Sequence, residues 1–240
     1  MSRLPDKFQE LKRAERKGFV PFITAGDPNL ATTERLIMEL ANAGADVIEL
    51  GVPFSDPVAD GEVIQRASER ALRNGVTLHD VLACASRVTH LIDVPIVLFS
   101  YFNPLLQFGP EAFALAAREA GVEGVLVTDL IVEEANSWTE NLIRHGLDPI
   151  FLVAPTTSDK RLAQIARCAR GFIYAISRAG VTGERDRITR DTETLVERLR
   201  AVTDLPLAVG FGISTAEQVQ TVWRFADAAV VGSAIVRQIE

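Results

Sequence analysis

The sequence predicts an α/β protein, a (β/α)8 TIM barrel built as a single domain over residues 1–240. Three observations carry that prediction. Eight short apolar runs alternate with amphipathic stretches along the whole chain, and no linker or low-complexity segment interrupts them. Glycine-rich turns follow the seventh and eighth runs, where barrels commonly bind phosphate. A doubly wound open sheet uses the same alternation and stands as the structural alternative.

The first segment, MSRLPDKFQELKRAERKG, is charged and reads as an extra amphipathic helix, not as a secretory signal. The runs FVPFIT (19–24), DVIELGV (46–52), PIVLFSY (95–101) and GVLVTD (124–129) are rich in Val, Ile and Phe. They are too short and too apolar for surface helices, as strands buried on both faces should be. PIFLVA (149–154), GFIYAIS (171–177), LPLAVGF (205–211) and DAAVVG (227–232) complete the set. Helical patterns such as TERLIMELANAG (33–44), EAFALAAREAG (111–121), RLAQIARCARG (161–171) and TETLVERLRAV (192–202) lie between them. Gly44, Gly121, Gly146 and Gly171 each fall just past a helical pattern, where glycine ends helices.

Composition narrows the function classes. Hydrophobic residues make up 48% of the 240 and charged residues 24%, which gives enough apolar mass for a large core and argues against disorder. Lys plus Arg total 25 against 32 Asp plus Glu, and the resulting charge of −7 opposes nonspecific binding to nucleic acid or anionic membranes. No apolar run approaches the roughly 18–20 residues that span a bilayer. Cys84 and Cys168 lack a CxxC partner and read as free thiols. His79, His90 and His145 have no ligand spacing, so no metal site is expected. Together these features point to the cytoplasm.

The chemistry concentrates in VIELGVPFSDPVADGEVIQ, residues 47–65. Glu49 interrupts an apolar strand, with Val47 and Gly51 on its face and Ile48 and Leu50 on the other. A carboxylate buried there costs several kcal/mol unless paired or protonated. Burial raises its pKa, and a carboxyl group titrating near neutrality can both give and take a proton. Asp56, beside Ser55 and Pro57, reads as turn chemistry. Asp60 lies on the loop leaving the same barrel end as Glu49, and two carboxyl groups in one pocket can divide acid and base roles.

Three further loops are rich in glycine: SRAGVTG (177–183), VGFGIS (209–214) and VGSAIV (231–236). Small residues there let backbone N–H groups approach an anion, and the last two loops are expected to open helices at Ser214 and Ser233. Three such loops on one rim predict a phosphate site. On these residues alone the chain reads as a phosphate-sugar isomerase or aldolase.

The block ELGVPFSDPVADG, the SRAGVTG loop and GFGIS together resemble the α subunits of tryptophan synthase. FVPFITAGDP (19–28), YFNPLLQFG (101–109), VTDLIVEE (127–134), PIFLVAPTT (149–157) and GSAIV (232–236) fall in that family's order. The resemblance implies retro-aldol cleavage of indole-3-glycerol phosphate to indole and glyceraldehyde 3-phosphate. It implies no cofactor or metal in this chain. The partner would be a β subunit carrying pyridoxal phosphate, in an α2β2 heterotetramer that passes indole onward for L-tryptophan synthesis. Glu49 falls at the first catalytic carboxylate and Asp60 at the second. Phe22, Tyr101 and Tyr174 match positions lining the indole pocket. Amides of Gly183, Gly212, Gly232 and Ser233 match the phosphate positions, and the loop 179–191 matches a mobile lid in which Thr182 hydrogen-bonds Asp60.

Three departures carry expectations of their own. Glu62 and Ile131 each stand where the family usually has proline, and both are expected to soften loops. The sequence given ends at Glu240, short of the family's usual final helix, which predicts an exposed apolar stripe or an intermolecular contact beside the eighth strand. A free-standing lyase would keep the same carboxylates, whereas a module that only switched its partner on would not need them.

Overall fold

The computed structural model describes residues 2–176, 185–210 and 212–240. Strands β1 (Gly18–Thr24), β2 (Ile48–Gly51), β3 (Ile96–Ser100), β4 (Val122–Val127), β5 (Asp148–Val153), β6 (Ile173–Ile176), β7 (Leu207–Gly210) and β8 (Ala228–Val231) pair in chain order and form a closed barrel. Every pairing is parallel, and β8 returns to β1 with Gly18 opposite Ala228 and Pro21 opposite Val231. That last pairing excludes the open sheet. All eight apolar runs form strands within a few residues of the expected bounds.

Helix α1 (Leu4–Arg13) precedes the barrel, and α2 (Leu30–Asn42) follows β1. Two helices follow β2, namely α3 (Glu62–Arg73) and α4 (Leu78–Val88), and two follow β3, namely α5 (Phe102–Phe108) and α6 (Pro110–Glu119). After β4 to β8 come α7 (Asn136–Arg144), α8 (Asp159–Cys168), α9 (Arg185–Arg200), α10 (Ala216–Val222) and α11 (Ser233–Ile239). Gly44, Gly121, Gly146 and Gly171 have φ of 95°, 77°, 74° and 68°, the left-handed geometry a helix-ending glycine supplies. Two details differ from expectation. The backbone is helical from Arg185, inside the stretch read as a lid. Helix α10 is capped by Thr215 and not Ser214, because Thr215 and Gln218 form a reciprocal capping box.

The inside of the barrel is filled by alternate strand residues, among them Val20, Val47, Val97, Leu126, Ile150 and Ala208. Leu4, Phe8 and Leu11 of α1 join this cluster, and Phe8 meets Phe172 with ring centroids 5.6 Å apart. Each such large side chain contributes roughly 1.5–3 kcal/mol on burial, so α1 serves as a plug. The plug is pinned by Glu123, whose carboxylate accepts from the Arg3 guanidinium at 2.6 Å and the Arg3 amide at 2.8 Å.

Two outer clusters pack the helices on the barrel, one over the first half of the strands and one over the second. Phe19 and Ile235 bridge them beside β8, and with Leu40 and Ile239 they are half-buried, so this surface is apolar but partly covered. Arg66 and Arg70 of α3 clasp Glu240 at 2.7 and 2.9 Å at its edge. Cys84 is buried and Cys168 half-buried, both as free thiols. Among the described residues no helix is long and apolar enough to cross a membrane.

Candidate active site

The sequence-predicted residues that the structure describes gather at the ends of the strands where the chain leaves the barrel. Glu49 sits near the end of β2, opposite Phe22 of β1 and Val97 of β3. Alternation with Val47 turns its side chain into the barrel, where it is 1% exposed. Its Oε1 has no hydrogen-bond partner among the described residues. Burial, with no facing cation among the described residues, pushes its pKa from 4.5 to about 8, so the group is mostly neutral at physiological pH. A carboxyl in that state can donate a proton first and take one back afterwards.

Asp60 reaches the same mouth from the loop between β2 and α3. A turn fixes it: its N–H donates to the Pro57 carbonyl at 3.0 Å, and its carbonyl accepts from the Gln65 side chain at 2.8 Å. Burial raises its pKa to about 6, and the nearby Tyr101 hydroxyl opposes part of that rise. The two carboxyl groups therefore differ in charge near pH 7, one largely neutral and one largely ionised.

Tyr174 of β6 ties the pair together. It is buried in the barrel interior, and its pKa is held well above the ordinary tyrosine range by burial and then by Glu49 and Asp60. Its phenol thus feels both carboxylates at once. Phe22 stands edge-on to Phe99, with centroids 5.2 Å apart and planes at 77°, and forms an apolar wall beside Glu49. Gly51 leaves room for that wall, since a Cβ there would sit 2.5 Å from the Phe22 ring. Tyr101, at the end of β3, is buried and packs against Phe54 with ring centroids 5.0 Å apart.

The glycine turns after β7 and β8 share this rim. Gly212 follows β7 with φ of 77°, and Gly232 follows β8 with its Cα side 3.5 Å from Phe22 Cβ, measured to where a Cβ would stand. Ser233 opens α11 directly after Gly232. Thr182 and Gly183 lie outside the described residues, as do positions 177–181 and 184 of the same turn. Glu62 is the first residue of α3, where a carboxylate favours the helix N-terminus, and Ile131 is exposed on the β4–α7 connection. Among the described residues no group of three or more His, Cys, Asp or Glu side chains is placed to hold a metal ion.

One residue in the mouth escaped the sequence reading. Thr24 is buried on β1, in alternation with Phe22, and its hydroxyl has no partner among the described residues. That alternation, Val20-Phe22-Thr24, is the signal that marks it as inward-facing.

Comparison with known proteins fits this geometry. Residues 8–240 match the family model described as tryptophan synthase alpha chain. The tryptophan synthase alpha chain of Geobacter sulfurreducens is 52% identical over 240 residues, covering 100% of this chain and 91% of the relative. A crystal structure of tryptophan synthase subunit alpha from Legionella pneumophila superposes with a TM-score of 0.92 at 39% identity, over 99% of this chain and 88% of that one. A chain of the tryptophan synthase a2b2 complex from the hyperthermophile Pyrococcus furiosus gives a TM-score of 0.86 at 39% identity, covering 92% and 89%.

Proposed function

The chain belongs to the tryptophan synthase alpha chain family, and from that premise we propose that it cleaves indole-3-glycerol phosphate to indole and glyceraldehyde 3-phosphate, residues 1–240 acting as one barrel domain. The observation that carries the reading is the placement of a buried Glu49, its Oε1 without a partner among the described residues, and Asp60 at one barrel mouth around Tyr174. Glu49 gives its proton to C3 of the indole ring, which places positive charge on the ring nitrogen. Asp60 faces that nitrogen, hydrogen-bonds its N–H and stabilises the charge. The Glu49 carboxylate then takes the proton of the hydroxyl on the carbon attached to C3. The O–H electron pair forms the aldehyde, the C–C bond breaks, and its pair restores the neutral aromatic ring. Glu49 ends protonated, as it began, and no oxidant or cofactor enters the balance.

Phe22, Tyr101 and Tyr174 line the ring, and the amides of Gly183, Gly212, Gly232 and Ser233 grip the phosphate. Gripping the unreactive end aligns the scissile bond with the two carboxylates. In this reading Thr182 hydrogen-bonds Asp60 when the loop over the mouth closes. The partner is a β subunit holding pyridoxal phosphate in an α2β2 assembly in the cytoplasm; the a2b2 complex of the Pyrococcus furiosus relative supports the assembly part of that reading. The test is to incubate the chain with indole-3-glycerol phosphate and follow indole release, with and without a β subunit. Indole released faster with the partner is the expected result; no indole in either arm overturns the reading.

A further inference from the structure

Tyr101 touches both ends of the loop that carries Asp60. Its ring packs on Phe54, at the start of the loop, with centroids 5.0 Å apart and planes tilted by 31°. Its hydroxyl oxygen accepts the Ala59 N–H at 2.9 Å, one residue before the carboxylate. The tyrosine itself is fixed from behind. Its carbonyl accepts the Ser100 hydroxyl at 2.9 Å, and the next amide, Phe102, donates to Asp129 at 2.7 Å. At 2% exposure it has no freedom to follow solvent.

A phenol has one proton to donate and lone pairs to accept with. The Ala59 amide occupies the accepting side, which leaves the proton for another group, and the Asp60 carboxylate is the acceptor within reach. We propose that Tyr101 is a positioning residue, a rigid post that holds the loop from Phe54 to Asp60 and aims the Asp60 carboxylate into the barrel mouth. This role goes beyond lining a ring pocket, and it rests on the reading of Asp60 as a catalytic group.

The test is Tyr101→Phe in the full chain, assayed for indole release from indole-3-glycerol phosphate across pH. Phenylalanine keeps the ring and its packing on Phe54 but removes the hydroxyl that accepts the Ala59 N–H and, in this proposal, donates to Asp60. The expected result is a roughly tenfold lower kcat at about pH 6.5, with KM changed less than about twofold. The rising limb of the kcat/KM profile moves up by about one pH unit, because the carboxylate loses a donor that favoured its charged form. A raised KM with the limb in place, or a parent-like profile, overturns the proposal.

Phe54→Ala releases the other end of the loop from a half-buried position outside the three buried clusters. It is expected to lower kcat without moving the limb, and a parent-like kcat contradicts the post. Asp60→Asn separates the two levels. An inactive Asp60→Asn beside an unaffected Tyr101→Phe sinks the post alone, whereas an active Asp60→Asn sinks the role of Asp60 and the post with it.

Discussion

Glu49→Gln separates what the buried carboxyl does for catalysis from what it costs the fold. In the unfolded chain a glutamate titrates at 4.5, and in the barrel this one titrates at about 8. Between those values the unfolded state has released a proton that the folded state keeps, so ionisation favours unfolding and stability falls as pH rises. The penalty is absent below 4.5, grows through the neutral range and levels off above about 8. At about 1.4 kcal/mol per pH unit, it amounts to up to about 3 kcal/mol at pH 7. Glutamine has nearly the same shape and cannot ionise. Urea denaturation of parent and variant at several pH values should find similar stability near pH 4.5 and the variant more stable by up to about 3 kcal/mol at pH 7. Indole release by the same variant should fall by roughly 10²–10⁴-fold, the usual weight of a general acid–base group. A variant less stable than the parent at neutral pH, or a difference that does not grow with pH, would refute the argument that Glu49 is buried without a compensating charge.

Two other substitutions probe the scaffold of the mouth. Gly51→Ala drives a Cβ to 2.5 Å from the Phe22 ring, and the displaced ring should cost about 1–3 kcal/mol in chemical denaturation and raise KM for indole-3-glycerol phosphate. Arg70→Met removes the guanidinium that holds the 2%-exposed Asp27 through two bonds of 2.8 Å, stranding a buried charge. The expected loss is about 3–5 kcal/mol, with much of it recovered in the Asp27→Asn/Arg70→Met double variant, and a loss under about 1 kcal/mol would contradict the pairing.

How far the sequence reaches can be seen residue by residue. The strands were legible because parallel strands covered on both faces must be apolar throughout, and Glu49 stood out as the carboxylate in the interior of such a run, where Asp46, Asp129 and Asp227 stand at run ends. Alternation put it on one face with Val47 and Gly51 but left open which face is inward; the packing of Val47 inside the barrel decides that. Asp60 was harder, since spacing alone does not distinguish it from the turn-building Asp56; what sets it apart is burial against Tyr101. The Tyr101–Ala59 bond spans 42 positions and the Arg70–Asp27 pair 43, and no local pattern encodes contacts of that range. The caps show a finer limit. Ser214 and Thr215 are both favoured N-cap types, Ser the more so, and only Gln218, placed to answer Thr215, decides between them.

The central claim is that Glu49 works protonated while Asp60 works ionised. The pH dependence of kcat/KM for indole-3-glycerol phosphate tests it most directly, since that quantity reports the groups of the free enzyme. The account predicts a bell whose rising limb lies at about 6, from Asp60, and whose falling limb lies at about 8, from Glu49. A profile that is flat across that range, or that keeps rising above about 8, would contradict it.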